Sequence, residues 1–188
     1  MSVALRSLTI CPIVEKIDSL PINQLTTESV RQALEGLAQV AAWVDSQKLL
    51  LTRRLQELAA ASPSVIPAQV IASACGVTRS EAQRGVARVS TLTLVPQLET
   101  ALTTGTVSIA HIDAVTQAMS HLSEPEKQQV ATQGNWINMV ASHTTPDNFA
   151  RAVRRAVQQV HTDSGLTQLE QQRRSTFLRH WVDRDSGM

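Results

Sequence analysis

The fold is decided by residues 69–89, QVIASACGVTRSEAQRGVARV, and residues 98–119, LETALTTGTVSIAHIDAVTQAM. Together they read as three helices separated by glycine turns at Gly76 and Gly105. Gly76 suits the left-handed conformation that closes a helix. Thr78 and Glu81 form a capping box that opens the next one. This is the layout of a helix-turn-helix. Ala72 is the small residue that lets the two helices cross closely, and Ile71, Cys75 and Val77 are the expected core contacts. The exposed side of the second helix then offers Arg79, Ser80, Gln83, Arg84 and Arg88, with Arg suited to guanine edges or phosphates and Gln to adenine. Gly85 is a misfit, because a larger apolar residue is usual there. Without DNA the same pattern is a plain helical hairpin with solvated arginines.

Upstream, residues 1–24 read as an irregular segment broken by Pro12 and Pro21. Residues 25–162 read as a helical domain. Its first helix starts after Thr26 or Thr27 and runs to about Ala61, with Val30, Leu34, Leu37, Ala41, Val44, Leu51, Leu55 and Leu58 recurring at three- and four-residue steps and one gap near Lys48. Such a helix is ~50 Å long at 1.5 Å per residue. Leu49, Leu50 and Leu51 spread apolar surface beyond one stripe. Length and leucine content together predict a partner helix, and a homodimer interface at Leu49, Leu50 and Leu51 is one way to supply it.

Downstream, Pro96 marks a kink or a helix start, and Ser108 caps a helix to about His121. Ser123–Glu126 is a second capping box, opening a helix to about Ser142. Thr145-Pro146-Asp147 opens a basic helix that Asp163-Ser164-Gly165 is expected to break. Residues 163–188 then read as a polar segment and an unfinished strand and hairpin: STFLRHWV at 175–182 alternates, and Asp183 to Gly187 is a turn signature with no second strand after it. That ending predicts a fragment of a longer protein or a truncated reading frame. The expected fold is thus mainly α, a long helix and a multi-helix cluster ending in a partial β-hairpin.

The bulk properties bound the function. The chain has 188 residues, 43% of them hydrophobic and 3% aromatic, and a net charge of +1. Ala, Val, Leu and Ile must therefore build the core, which suits packed helices. A near-neutral charge means that any nucleic-acid site is a local patch. Cys11 and Cys75 are too few and too far apart for a disulfide framework or a cysteine-rich metal site, which fits a reduced, cytoplasmic setting. No run approaches ~20 apolar residues, so no membrane span is expected. The N-terminus lacks a small-residue cleavage site and does not read as a signal peptide.

Four features in fixed order carry a family resemblance. They are Gly76-Val77-Thr78-Arg79-Ser80-Glu81-Ala82; Leu98 and Leu102 leading to Gly105-Thr106-Val107-Ser108-Ile109-Ala110-His111; Thr145-Pro146 with a basic helix after it; and Arg173-Arg174 before an apolar segment ending Asp185-Ser186-Gly187-Met188. Over residues 27–188 the chain resembles the 13E12 repeat family. The resemblance implies a helical domain of unknown function of the kind that commonly precedes an HNH endonuclease domain. The nuclease part has no counterpart here. There is no CxxC, and His111, His121, His143, His161 and His180 are scattered without a second ligand at helical or hairpin spacing.

Arg151, Arg154 and Arg155 form a second basic group, with Arg151 and Arg155 on one helical face. With Arg173, Arg174 and Arg179 they set six positive charges against Asp163 and Glu170, a balance of +4 that suits phosphate contact or simple solvation. His111 reads as a local packing or hydrogen-bonding residue and Cys75 as core. Trp43, Trp136 and Trp181 are too dispersed for a base-stacking platform. No nucleophile–base pair, carboxylate pair, phosphate loop, cofactor motif or metal cluster is visible. The sequence thus points to a non-catalytic module that binds or positions double-stranded DNA, or alternatively to a dimerisation scaffold built on the long helix.

Overall fold

The computed structural model describes residues 11–62 and 64–175, the side chains of Cys11, Ile13, Ile17 and residues 163–175 apart. Nine α-helices follow one another among these residues, with one short 3-10 turn at Ile22–Gln24 and no strand. They are α1 (Cys11–Asp18), α2 (Thr27–Ala61), α3 (Pro67–Cys75), α4 (Arg79–Leu94), α5 (Gln97–Thr103), α6 (Ile109–Met119), α7 (Glu124–Ala131), α8 (Gly134–His143) and α9 (Pro146–Ser175).

Several helix starts are legible from side chains that cap them. Thr26 Oγ1 accepts the Ser29 N–H at 3.2 Å and opens α2. Thr78 Oγ1 accepts the Glu81 N–H at 3.1 Å and opens α4. Ser123 and Glu126 form the expected box at α7, the Ser123 N–H donating to Glu126 Oε2 at 2.8 Å. Gly76 and Gly105 both take the left-handed conformation, at φ +64° and +75°. Only Gly105 is also crowded: a Cβ there would lie 3.2 Å from the Gln39 backbone in α2.

The core lies where α4, α5, α6, α8 and α9 converge. Leu92, Leu98, Leu102, Ile112, Ile137 and Phe149 are among its fully buried side chains, each worth about 1.5–3 kcal/mol on burial. Helix α6 packs against both α4 and α9, and α2 lies across α4 and α5. The docked face of α2 carries Ala42, Ser46, Leu49 and Thr52. An ion pair fixes this contact: Arg53 Nη1 and Nη2 donate to the two carboxylate oxygens of Glu99 in α5 at 3.0 and 2.9 Å.

Several expectations are corrected. The segment before residue 24 is not wholly irregular, because Cys11–Asp18 is helical and Pro12 falls in its first turn, where a missing N–H costs nothing. The region opened by Ser123 is two helices, α7 and α8, meeting at Thr132-Gln133. Gly134 starts the second, and a Cβ there would lie 2.6 Å from Gln97 Oε1. The break at Asp163-Ser164-Gly165 does not occur: α9 runs on to Ser175. A single helical glycine costs about 1 kcal/mol, and the Leu-, Gln-, Glu- and Arg-rich run after it favours helix. The partial β-hairpin gains no support. Its expected first residue, Ser175, ends α9, and residues 176–188 lie outside the described residues.

Candidate nucleic-acid interface

Helices α3 and α4 are joined by the three residues Gly76-Val77-Thr78. The left-handed Gly76 ends α3, and the Val77 N–H returns to the Ala72 carbonyl at 3.2 Å. The two helices pack closely against each other. A short glycine-containing turn between two packed helices is common to helical hairpins and helix-turn-helix units.

The 16-residue α4 has two distinct sides. Ala82, Val89 and Leu92 are buried in the domain. Arg79, Ser80, Gln83, Arg84 and Ala87 are all exposed and form one outer strip along the first half of the helix. Arg84 pairs with Glu81 one turn back at 2.5 Å, an exposed contact of little energy that a competing phosphate can replace.

Arg88 does not belong to this strip. Its side chain is only 13% exposed. Nε and Nη2 donate to the two Asp113 oxygens at 2.6 and 2.9 Å, and Nη1 donates to Glu81 Oε1 at 2.8 Å. The Asp113 carboxylate, and to a lesser degree Glu81, hold the guanidinium above its already high range despite partial burial. Arg88 is therefore a tie between α4 and α6, not a base reader. The sequence concealed this because Asp113 lies 25 residues away.

Two other core expectations change. Cys75 is exposed and unpaired, and Val77 is 36% exposed. Both line an apolar cleft of about 250 Å³ between α2, α3 and α4, walled also by Leu51, Leu55, Val70 and Ile71. Gly85 also lines it, and a Cβ there would meet nothing within 4 Å. The glycine misfit seen in the sequence thus corresponds to space left unfilled.

Arg151, Arg154 and Arg155 are exposed on α9. Arg151 donates to Asn148 Oδ1 at 2.5 Å. Helix α6 contacts both α9 and α4. Arg173, Arg174, Arg179 and Trp181 lie outside the described side chains. Leu49, expected at a dimer interface, faces the core at 6% exposure, whereas Leu50 and Leu51 are 43% and 68% exposed.

His111 has a structural role. It is 6% exposed. Its Nδ1 accepts the Ser108 N–H at 3.2 Å, which leaves Nε2 as the donor to the Thr144 carbonyl at 3.2 Å. The ring also packs on Phe149, with centroids 5.2 Å apart. It ties the start of α6 to the end of α8. Among the described residues no group of three or more His, Cys, Asp and Glu side chains is placed to hold a metal, and no helix is long and apolar enough to cross a membrane.

Fold and site together define a mainly helical domain that carries, beside its core, the short-turn helix pair α3 and α4. A family model described as "Domain of unknown function (DUF222)" matches residues 31–188, and the chain belongs to that family. No curated protein and no solved structure matches it.

Proposed function

We propose that this chain is a non-catalytic module that binds or positions double-stranded DNA, with α4 as the element nearest the bases. The observation that carries this reading is the outer strip of α4. Two arginines, a serine and a glutamine share one solvent face of the helix that follows the turn. A helix of ~24 Å with such a face fits the major groove, which is about 12 Å wide. Arg79 and Arg84 contact phosphates or guanine edges, and Ser80 and Gln83 offer polar contacts to other base edges. The α9 arginines are a second place for phosphate contact.

The resemblance to the 13E12 repeat family supports the same reading. A helical module beside an HNH nuclease has DNA as its natural neighbour, and its part is to hold the duplex while another domain cuts it. Binding is electrostatic in the first instance, because a chain of net charge +1 has no strong overall field and must act through a patch.

The test is fluorescence anisotropy of a labelled random duplex at low and at moderate salt. The expected result is binding that falls steeply with salt and weakens in Arg79→Ala/Arg84→Ala, whose helix content matches the parent chain by circular dichroism. No binding at low salt, or unchanged affinity in the double variant, overturns the proposal.

A further inference from the structure

The more apolar stripe of helix α2 is left largely open by its own domain, and its later members Lys48, Leu51 and Leu55 border the cleft that α2 shares with α3 and α4. From position 30 to position 58, residues on this stripe follow in alternating steps of four and three without a break. Val30, Leu34, Leu37, Leu51 and Leu58 are 40%, 60%, 47%, 68% and 43% exposed. Lys48 falls on the stripe as its one polar member, which explains the gap in the apolar pattern. The domain docks on an adjoining face, at Ala42, Ser46, Leu49 and Thr52.

A spacing that averages 3.5 residues differs from the 3.6 of a straight helix. Over four heptads it stays in line only if the helix supercoils around another helix with the same spacing. Leu34 and Leu51 remain open although α1 and α3 both contact α2. A second copy of α2 has the required spacing throughout.

Lys48 selects the orientation. A parallel pair in register would set Lys48 against Lys48 at a core position. An antiparallel pair sets each Lys48 against the apolar stripe of the partner's N-terminal half. There its aliphatic stem is covered and its ammonium reaches the flank. That half is net negative, with Glu28 and Glu35 against Arg31. The antiparallel pair also opposes the two helix dipoles.

We infer that this chain forms a homodimer in which the α2 helices of two copies pack antiparallel as a two-stranded coiled coil across positions 30–58. The inference does not rest on DNA binding, and its test uses none.

Sedimentation velocity on the full chain should show a dimer. Leu34→Glu/Leu51→Glu should be monomeric with unchanged helix content, since both side chains are exposed within one copy. Lys48→Leu should sediment as dimer at concentrations where the parent chain dissociates. For orientation, Leu34→Cys and Leu51→Cys are made separately in a Cys11→Ser/Cys75→Ser background. A disulfide that forms when the two are mixed, and not in either alone, supports the antiparallel seam. A monomeric parent chain, or a dimer that survives Leu34→Glu/Leu51→Glu, overturns the interface. Cross-linking of each cysteine variant to itself alone overturns the orientation.

Discussion

Arg88 of α4 holds Asp113 of α6 through two parallel hydrogen bonds, Nε to Oδ1 at 2.6 Å and Nη2 to Oδ2 at 2.9 Å. The contact spans 25 residues of chain and joins the second helix of the helix-turn-helix-like pair to the centre of the domain. It orients the outer strip of α4 relative to α6. Arg79 and Arg84 thus project from a helix anchored by a third arginine.

Arg88→Ala therefore acts on stability. It removes a bidentate, charge-assisted contact, partly screened because Asp113 is 42% exposed. The expected loss is about 1–2 kcal/mol, or roughly 2–8 °C in Tm for a chain of this size. Asp113→Asn should lose a similar amount, and the double variant less than the sum of the two. The guanidinium is held above its usual range, so its share of the stability is present below that range and lost only as pH rises through the still higher folded value. Thermal melts followed by circular dichroism should accordingly show no loss from Arg88 between neutral and moderately alkaline pH.

The two left-handed glycines should respond differently to alanine. At Gly76 an added Cβ meets nothing within 4 Å, so Gly76→Ala bears only the left-handed backbone cost of about 1–2 kcal/mol. At Gly105 the Cβ would also press on Gln39, with its Cα at 3.2 Å and its Cγ at 3.1 Å. Urea denaturation should find Gly105→Ala the less stable of the two. Equal losses would mean that α2 yields at Gln39 without cost.

Gly85 sits inside α4, with open space where a side chain would be. Gly85→Ala should stabilise the chain by roughly 0.5–1 kcal/mol, because alanine loses less backbone entropy in a helix. The same denaturation series measures it, and a loss of stability would show that the cleft between α2, α3 and α4 is narrower in solution.

If α4 contacts phosphates through Arg79 and Arg84, the dependence of duplex affinity on salt must report it. Each neutralised phosphate contributes about 0.9 to the slope of log affinity against log salt, so removing both arginines should reduce that slope by about 2. The α9 variant Arg151→Ala/Arg155→Ala, read in the same anisotropy titration, tests whether α9 adds contacts of its own. A slope equal to that of the parent chain would leave α9 as a solvated face.

Local chemistry along the chain sets the punctuation of this fold. Thr26, Thr78 and Ser123 start helices, and Gly76 and Gly105 end them. These are interactions between residues a few positions apart, and local chemistry suffices to predict them. The outer strip of α4 was legible for the same reason, apart from Arg88. Tertiary structure decided what depends on distant partners. Arg88 turns inward because Asp113 arrives beside it on α6. Asp163-Ser164-Gly165 stays helical because one glycine is outweighed by the helix formers after it. On α2, periodicity revealed an apolar stripe without saying which face the domain would occupy. The domain took Ala42, Ser46, Leu49 and Thr52, and left Leu51, only two residues beyond Leu49, 68% exposed in the wall of the cleft that α2 shares with α3 and α4. A stripe fixes the angle between residues around a helix axis, whereas docking of the remaining helices fixes which angle points inward.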